Sequence, residues 1–243
     1  MSNVFYTPGE QRAAKVNDLF AAIARRYDLL NDLQSFGLHR RWKRRVVELA
    51  AVQSGNRALD LCCGTGDLAL ALARRGAEVT GFDFSQAMLE IAETRNKIRD
   101  PKSEIRNPTF IQGDAQQIPF PDASFDIVTV GYGLRNLTSW EKGLDEMHRV
   151  AGPGARLVVL DFGKPANALW RAIYFGHLRC SVPLIGRLFC GNADAYAYIL
   201  ESLKHYPAQQ AIAAKMRELK LANVRVINFL GGAMAINYGE KPA

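Results

Sequence analysis

The sequence predicts an α/β fold in which a mostly parallel, doubly wound sheet of seven strands carries helices on both faces. From Ala58 to Phe162, short apolar runs alternate with segments of helical periodicity, as in parallel strands joined by helical crossovers. Near the carboxyl end, Gly231 and Gly232 join two further apolar runs. Glycines permit the positive φ of a hairpin turn, so the sheet is expected to end in an antiparallel pair.

The elements are expected in the following order. Strands are predicted at Ala58–Leu61, Glu78–Asp83, Thr109–Gln112, Phe125–Val130, Arg156–Phe162, Arg225–Phe229 and Ala233–Asn237. Helices are predicted from Leu68, from Gln86, from Trp140 and from Ala208 to Leu219. Ahead of the first strand, one helical stripe is predicted from residues at three- and four-residue spacing, namely Val16, Leu19, Phe20, Ile23 and Tyr27.

The chain is expected to form a single domain over residues 1–243, with a helical cap (1–50), a cofactor-binding core (51–162), a lid insertion (163–205) and a final helix with antiparallel strands (206–243). The alternation stops after Phe162, and no Asp or Glu occurs from there to Ala193, although Arg171, Arg179 and Arg187 do. The lid is therefore interpreted either as a basic amphipathic segment on anionic lipid or as a buried pair of helices.

The length, composition and net charge of the chain exclude several classes of protein. A chain of 243 residues with 48% hydrophobic and 23% charged residues is neither a disulfide-stabilised miniprotein nor a disordered chain. The net charge of +7 favours an anionic partner, which leaves nucleic acid and anionic lipid open. None of the four cysteines has C-x-x-C spacing, and no signal peptide or membrane span is recognised, so a reduced, cytoplasmic protein is expected.

A glycine loop follows the first predicted strand. The segment Leu59–Asp67 leaves a strand and enters a helix, and Gly64 and Gly66 let the backbone approach a ligand at the helix N-terminus. By itself this pattern also fits a plain strand-to-helix turn or a dinucleotide fingerprint, because Gly64-x-Gly66-x-x-Ala69 is followed by Asp83.

Three acids at successive strand ends favour one ligand. Asp60 precedes the glycine loop, and Asp83 and Asp114 end the next two strands. A carboxylate beside the loop suits an ammonium and a sulfonium and repels a pyrophosphate, which favours S-adenosylmethionine over NAD. Asp83 can accept the ribose hydroxyls, while Asp114 and the Ala115 backbone can receive the amine and ring nitrogen of adenine.

Several uncommon strings carry a family resemblance. They are Tyr27-Asp28-Leu29-Leu30-Asn31-Asp32, Ser35-Phe36-Gly37-Leu38-His39-Arg40-Arg41-Trp42-Lys43 and Gly133-Leu134-Arg135-Asn136. The chain resembles the class I S-adenosylmethionine-dependent methyltransferases, and more narrowly the quinone-biosynthesis C-methyltransferases. The resemblance implies a Rossmann-like fold, S-adenosylmethionine as methyl donor and a prenylated quinol as substrate. It also implies cofactor contacts at Thr65, Asp83, Asp114 and Ala115.

Methylation of an aromatic carbon needs a ring activated by loss of a hydroxyl proton, and hence a cation or donor to hold the phenolate. Arg135 follows a strand by a short loop at the ligand end of the sheet and is the first choice for that role. Asn136 is expected to orient the ring oxygen or a water, and Tyr27 to close the pocket and donate its hydroxyl. An activated water or His39 is the expected proton acceptor. The alternatives are a surface ion pair for Arg135, a core aromatic for Tyr27 and a helix cap for His39.

The leading functional hypothesis is conversion of demethylmenaquinol to menaquinol. The alternative is C-methylation of 2-methoxy-6-polyprenyl-1,4-benzoquinol in ubiquinone synthesis, or both reactions. Remoter alternatives are an RNA methyltransferase, suggested by the basic run Arg40–Arg45, and a non-catalytic quinone-binding protein. Neither a metal nor a nucleic-acid partner is expected, while a homodimer and association with the inner face of the cell membrane are left open.

Overall fold

One seven-stranded sheet organises the chain. A computed structural model describes residues 10–97, 106–190, 202, 203 and 205–243. The strands are β1 (Arg57–Leu61), β2 (Glu78–Asp83), β3 (Thr109–Gln112), β4 (Phe125–Gly131), β5 (Ala151–Phe162), β6 (Ala222–Phe229) and β7 (Met234–Glu240). Their spatial order is β3-β2-β1-β4-β5-β7-β6, and β7 runs antiparallel to both of its neighbours. The predicted fold class is confirmed.

Helices cover both faces of this sheet. They are α1 (Glu10–Ile23), α2 (Tyr27–Ser35), α3 (Leu38–Ala50), α4 (Asp67–Ala73), α5 (Gln86–Lys97), α6 (Trp140–Val150), α7 (Ala168–Cys190) and α8 (Ala208–Glu218). Along β4, Val128 and Val130 pack into one core with Leu144 of α6, while Ile127, directly before Val128, packs into the other with Val46 of α3. This alternation follows from the two-residue period of a strand, and it buries the sheet on both sides.

The predicted strand positions hold, with differences at the ends. β5 begins at Ala151 rather than Arg156, because Ala151 pairs with Phe125 and the backbone stays bonded to the segment after β7. The joint between β6 and β7 carries the expected positive φ at Gly231 (63°) and Gly232 (94°). It forms a short 3-10 turn over Leu230–Gly232.

The amino-terminal stripe does not lie on one helix, so that prediction is wrong. α1 ends at Ile23, a 3-10 turn covers Ala24–Arg26, and α2 begins at Tyr27. The Tyr27 amide donates to the Ala24 carbonyl, which tightens the chain and redirects it between the two helices. Leu19 of α1 and Leu30 of α2 pack with Leu178 of α7, which joins these two helices to the lid.

In the lid segment, the structure describes one long helix of 23 residues, α7. Its first half exposes Leu169, Ile173, Arg171 and Arg179. The prediction of a second lid helix concerns the chain after α7, where residues 191–201 and 204 lie outside the described residues. Within the described chain, no helix combines the length and apolarity needed to cross a bilayer. The division into cap, core, lid and final strands stays a prediction.

Candidate active site

Two adjoining cavities lie beyond the carboxyl ends of the parallel strands, where open α/β sheets bind their ligands. The smaller, of about 110 Å³, is lined by residues at the ends of β2, β3 and β4 and by α1. The larger, of about 420 Å³, lies between the cap, α3, α7 and the segment before β7. Most of its lining residues are apolar or aromatic.

The smaller cavity is built on the glycine loop and Asp83. One Asp83 carboxylate oxygen accepts the Gly64 amide at 2.8 Å, and the other accepts the Ser85 amide at 2.8 Å. Gly64 adopts a φ of 55°, which suits glycine at this close approach. Because each carboxylate oxygen can accept more than one hydrogen bond, Asp83 retains acceptor capacity toward the cavity. Burial raises the pKa of this carboxyl above its usual value.

Asp114 and Ala115 line the same cavity as Asp83, as the sequence predicts. The Asp114 carboxylate accepts the Gln116 amide at 2.9 Å, which fixes the turn after β3. Two further polar atoms of this wall, Asn17 Oδ1 and Ser85 Oγ, are buried without a hydrogen-bond partner among the described residues. Such atoms need a ligand or a water. With Asp83 able to accept the ribose hydroxyls, and Asp114 and Ala115 placed to receive the edge of adenine, the cavity fits S-adenosylmethionine.

Asp60 lies beneath the glycine loop rather than in the wall of the cavity with Asp83. Its carboxylate accepts the Ala69 amide at 3.0 Å and the Thr129 hydroxyl at 2.8 Å. Asp60 is 1% exposed, and burial raises its pKa to about 7. These bonds tie the first turn of α4 to β1 and β4, and so fix the loop between them.

Thr65 and Gly66 also lie outside both cavities. Gly66 precedes α4 with a φ of 82°, and a Cβ there would lie 3.1 Å from both Ala92 and Phe110. The Thr65 hydroxyl donates to Asp28 of the cap at 2.9 Å. The structure thus gives Gly66 a packing role and Thr65 a contact with the cap, while their roles as cofactor ligands stay predictions.

The contact of Thr65 belongs to a charged network that we call the cap latch, formed by Asp28, Thr65, Arg95, Asp67 and Lys43. Arg95 of α5 pairs with Asp28 at 3.0 Å and with Asp67 at 2.8 Å. Lys43 of α3 pairs with Asp67 at 2.7 Å. The cap latch therefore joins α2 and α3 to the glycine loop.

Arg135 lines the larger cavity and is 8% exposed. Its guanidinium donates to the Asp161 carboxylate at 2.9 Å and to the Tyr132 carbonyl, and it lies 4.8 Å from the centre of the Phe162 ring. The Arg135 amide also donates to Asp161. The expected alternative of a surface ion pair is wrong, because Arg135, in the turn after β4, and Asp161, near the end of β5, are both buried.

The other predicted catalytic residues lie in different places. Asn136 lines the smaller cavity, and its amide donates to the Tyr132 carbonyl at 3.1 Å. His39 lines the larger cavity, with its ring 2.9 Å from the Ser35 hydroxyl, and burial lowers its pKa. Tyr27 lines both cavities, and burial raises its pKa against the opposing charges of Lys43 and Arg135.

An aromatic wall separates the two cavities. Phe20, Tyr27 and Tyr132 each line both of them. A group passing from a ligand in the smaller cavity to one in the larger crosses between these side chains. The arrangement suits transfer between two ligands in a site that excludes water.

Three residues of this site were not predicted from the sequence: Asp161, Tyr132 and Asp28. Asp161 could have been predicted, because it lies one residue before the end of β5, just as Asp60 lies one residue before the end of β1. Asp28 lies within one of the strings that carry the resemblance and Tyr132 directly precedes another, but the residues that they contact are mostly distant in the chain. In the described part of the chain, no group of three or more His, Cys, Asp or Glu side chains is arranged to hold a metal ion.

The fold is that of the S-adenosylmethionine-dependent methyltransferases. A methyltransferase of this class from Aquifex aeolicus superposes with a TM-score of 0.56 at 18% identity, over 82% of this chain and 88% of the other. Similarity extends to sequence for two proteins named ubiquinone/menaquinone biosynthesis C-methyltransferase UbiE. That of Azotobacter vinelandii is 41% identical, covering 97% of this chain and 93% of the relative. That of Ectopseudomonas mendocina is 42% identical, covering 97% and 92%.

A family model described as the ubiE/COQ5 methyltransferase family matches residues 9–241. The chain belongs to this family. It is an S-adenosylmethionine-dependent C-methyltransferase, and the predictions of family, cofactor and reaction class are confirmed at this level.

Proposed function

We propose that the protein methylates a ring carbon of demethylmenaquinol to give menaquinol. The observation that carries this proposal is a buried, ion-paired arginine in an apolar cavity that adjoins the cofactor cavity through an aromatic wall. The names of the relatives include menaquinone biosynthesis. The fused rings of a naphthoquinol are flat and apolar, so both of their faces can pack against the apolar side chains that line this cavity.

The chemistry requires that the quinol lose a hydroxyl proton, so that charge reaches the carbon beside the oxygen. Bound S-adenosylmethionine supplies an activated methyl group. Arg135 holds positive charge in a buried wall, where a hydrogen bond to the developing phenolate is worth more than in water. Asp161 fixes the guanidinium, so little reorganisation is needed during the reaction. The neutral His39 ring is available to accept a proton directly or through a water.

The rim of the larger cavity supports a prenylated substrate. Four of its lining residues are exposed apolar side chains, namely Phe36 (84%), Trp170 (38%), Ile173 (53%) and Leu230 (53%). A prenyl chain leaving the ring would extend along this rim. Together with the exposed Arg171 and Arg179, the rim also suits an anionic lipid surface, from which such a substrate would enter.

The alternative substrate is the benzoquinol precursor of ubiquinone, because the same relatives carry ubiquinone in their names. The two acceptors share the phenolate chemistry and the prenyl chain. They differ in whether the ring carries a methoxy group or a fused second ring. Methylation of RNA is not favoured, because the acceptor cavity is lined mainly by apolar side chains.

The test is methyl transfer in vitro. The purified protein is incubated anaerobically with methyl-labelled S-adenosylmethionine and, in separate reactions, a reduced short-chain demethylmenaquinol, the benzoquinol precursor and an unstructured RNA. We expect label in the naphthoquinol ring. Label only in the benzoquinol would transfer the assignment to ubiquinone synthesis, and label only in RNA would refute a quinol substrate.

Lipid association is tested by sedimentation with vesicles of an anionic or a zwitterionic phospholipid. We expect binding to the anionic vesicles that weakens with salt. The double variant Phe36→Ser/Leu230→Ser should lose it, whereas Leu33→Ser, at a position 37% exposed outside the cavity lining, should retain it. Equal binding of the wild type to both vesicle types would contradict the electrostatic part of the proposal.

A further inference from the structure

Tyr132 has a strained and tightly fixed backbone. It has a φ of 63°, a left-handed conformation that a bulky side chain rarely adopts. Its amide donates to the Leu160 carbonyl at 2.7 Å, and its own carbonyl accepts the side chains of Arg135 and Asn136. Such strain persists only where the surroundings impose it, and it is concentrated at functional sites.

The glycines on either side of Tyr132 lie close to neighbouring side chains. A Cβ on Gly131 would lie 2.8 Å from Leu68, and one on Gly133 would lie 2.2 Å from Cys62. The backbone at Gly133 therefore passes too close to Cys62 for a side chain, whereas a side chain at Gly131 would require the end of the Leu68 side chain to move. Tyr132, between the two glycines, has a side chain that lines both cavities.

The Tyr132 side chain is buried in the aromatic wall with its polar atom unused. Its ring centre lies 6.0 Å from that of Phe162 and 6.0 Å from the Lys43 ammonium. The hydroxyl is buried, and none of the described residues forms a hydrogen bond with it. A buried hydroxyl without a partner destabilises the protein, so its presence in a wall common to both cavities points to a ligand.

We infer that Tyr132 is a further catalytic residue, whose hydroxyl donates a hydrogen bond to the acceptor-ring oxygen that becomes the phenolate. The inference rests on the proposed transfer to a quinol. Arg135 and Tyr132 then act together, because the guanidinium that bonds the Tyr132 carbonyl also faces the acceptor cavity. Burial and the nearby Tyr27 and Asp161 raise the pKa of Tyr132, so the hydroxyl keeps its proton and acts as a donor.

The test is the variant Tyr132→Phe, which removes the hydroxyl and keeps the ring. We expect kcat for the quinol to fall about a hundredfold, as for loss of one donor to a developing oxyanion. The dissociation constant of S-adenosylmethionine should stay within about twofold of wild type, since the donor serves the acceptor. The free variant should unfold at the same temperature as wild type or a higher one, because it buries no unpaired hydroxyl.

The matched control is Tyr238→Phe. Tyr238 is also buried, but its hydroxyl bonds Glu240 and it lines neither cavity. This variant should keep wild-type kcat. Lower stability together with lower kcat in Tyr132→Phe would mean that the hydroxyl serves the fold, and weaker cofactor binding with unchanged kcat would assign it to the cofactor. Either result overturns the inference.

The wild-type reactions in the same series test the proposed function separately. If wild type forms no product with either quinol, the proposed substrate class is wrong. If wild type forms product and Tyr132→Phe forms it at the same rate, only the role of Tyr132 is wrong.

Discussion

The cofactor cavity and the acceptor cavity are built in different ways. The cofactor cavity draws most of its polar groups from the loops that follow β1, β2 and β3, where backbone amides and short acids meet at one sheet edge. The acceptor cavity draws its side chains from the cap, α3, α7 and the turn before β7. The sheet thus fixes the first cavity, whereas the second exists only when remote segments pack together.

The two cavities are also stabilised by different interactions. Asp83 holds Gly64 through a hydrogen bond within the sheet edge. The cap is held by the packing of Leu19 and Leu30 and by the cap latch, in which Arg95 and Asp28 are each about one third exposed. Changes at the sheet edge should therefore alter cofactor affinity, and changes on the acceptor side should alter transfer or acceptor binding.

The strongest test of this separation is Arg135→Met. We expect turnover to fall about a thousandfold or more, because the developing phenolate loses its buried cation. Cofactor affinity should change little. The variant should also lose about 3–5 kcal/mol of unfolding free energy, since Asp161 remains buried without its partner. Urea unfolding and calorimetric cofactor binding measure the two effects.

The control for Arg135 is the double variant Arg135→Met/Asp161→Asn, which removes both charges. It should recover most of the stability and none of the turnover. Recovery of turnover would show that Arg135 acts on the fold and not on the phenolate, and a large loss of cofactor affinity would show that the two cavities are not independent.

The second largest effect is expected for Asp83→Ala. It removes an acceptor of the Gly64 amide and the proposed acceptor of the ribose hydroxyls. We expect the cofactor dissociation constant to rise about a hundredfold, as for loss of two charge-assisted hydrogen bonds. Binding is measured by calorimetry, and the exposed Asp122→Asn is the control. If Asp83→Ala binds S-adenosylmethionine with the wild-type dissociation constant, Asp83 is not a cofactor ligand.

A third test uses the pH dependence of stability. Folded Asp60 holds its proton up to about pH 7, whereas an unfolded aspartate releases it near pH 4. The folded state binds more protons between these values, so the contribution of Asp60 is complete below about pH 4 and is lost as the pH rises to 7. The slope reaches at most about 1.4 kcal/mol per pH unit. In urea unfolding, the free energy of unfolding of Asp60→Asn should fall less steeply between about pH 4 and pH 7 than that of wild type. An identical slope in the two proteins would contradict the raised pKa of Asp60.

The smallest effect is expected at the cap latch. Asp28→Asn weakens the pairing of the cap with Arg95 and the glycine loop. Because both partners are about one third exposed, unfolding free energy should fall by no more than about 1 kcal/mol. The KM of the acceptor should rise about threefold through a less well positioned cap, with kcat nearly unchanged. The control is Glu48→Gln, which removes one charge of the exposed helical pair with Arg45 and should leave KM unchanged. An unchanged KM in Asp28→Asn would show that the cap latch does not position the cap for acceptor binding.

The sequence by itself determined the sheet and most of the cofactor cavity. Apolar alternation places the strands, and parallel strands bring their carboxyl ends to one edge, so Asp83, Asp114 and Ala115 lie together as expected. These features follow from local periodicity and from the topology of crossovers. The strand ends were less well defined, because the extension of β5 to Ala151 depends on pairing with distant strands.

Only the tertiary structure decided how the acceptor side is assembled. It divided the stripe of the cap into two helices, placed Thr65 against Asp28, and paired Arg135 with Asp161. It also brought Phe20, Tyr27 and Tyr132 into a common wall. The physical reason is that each of these contacts joins separate elements, and their geometry depends on side-chain packing between surfaces that periodicity does not specify.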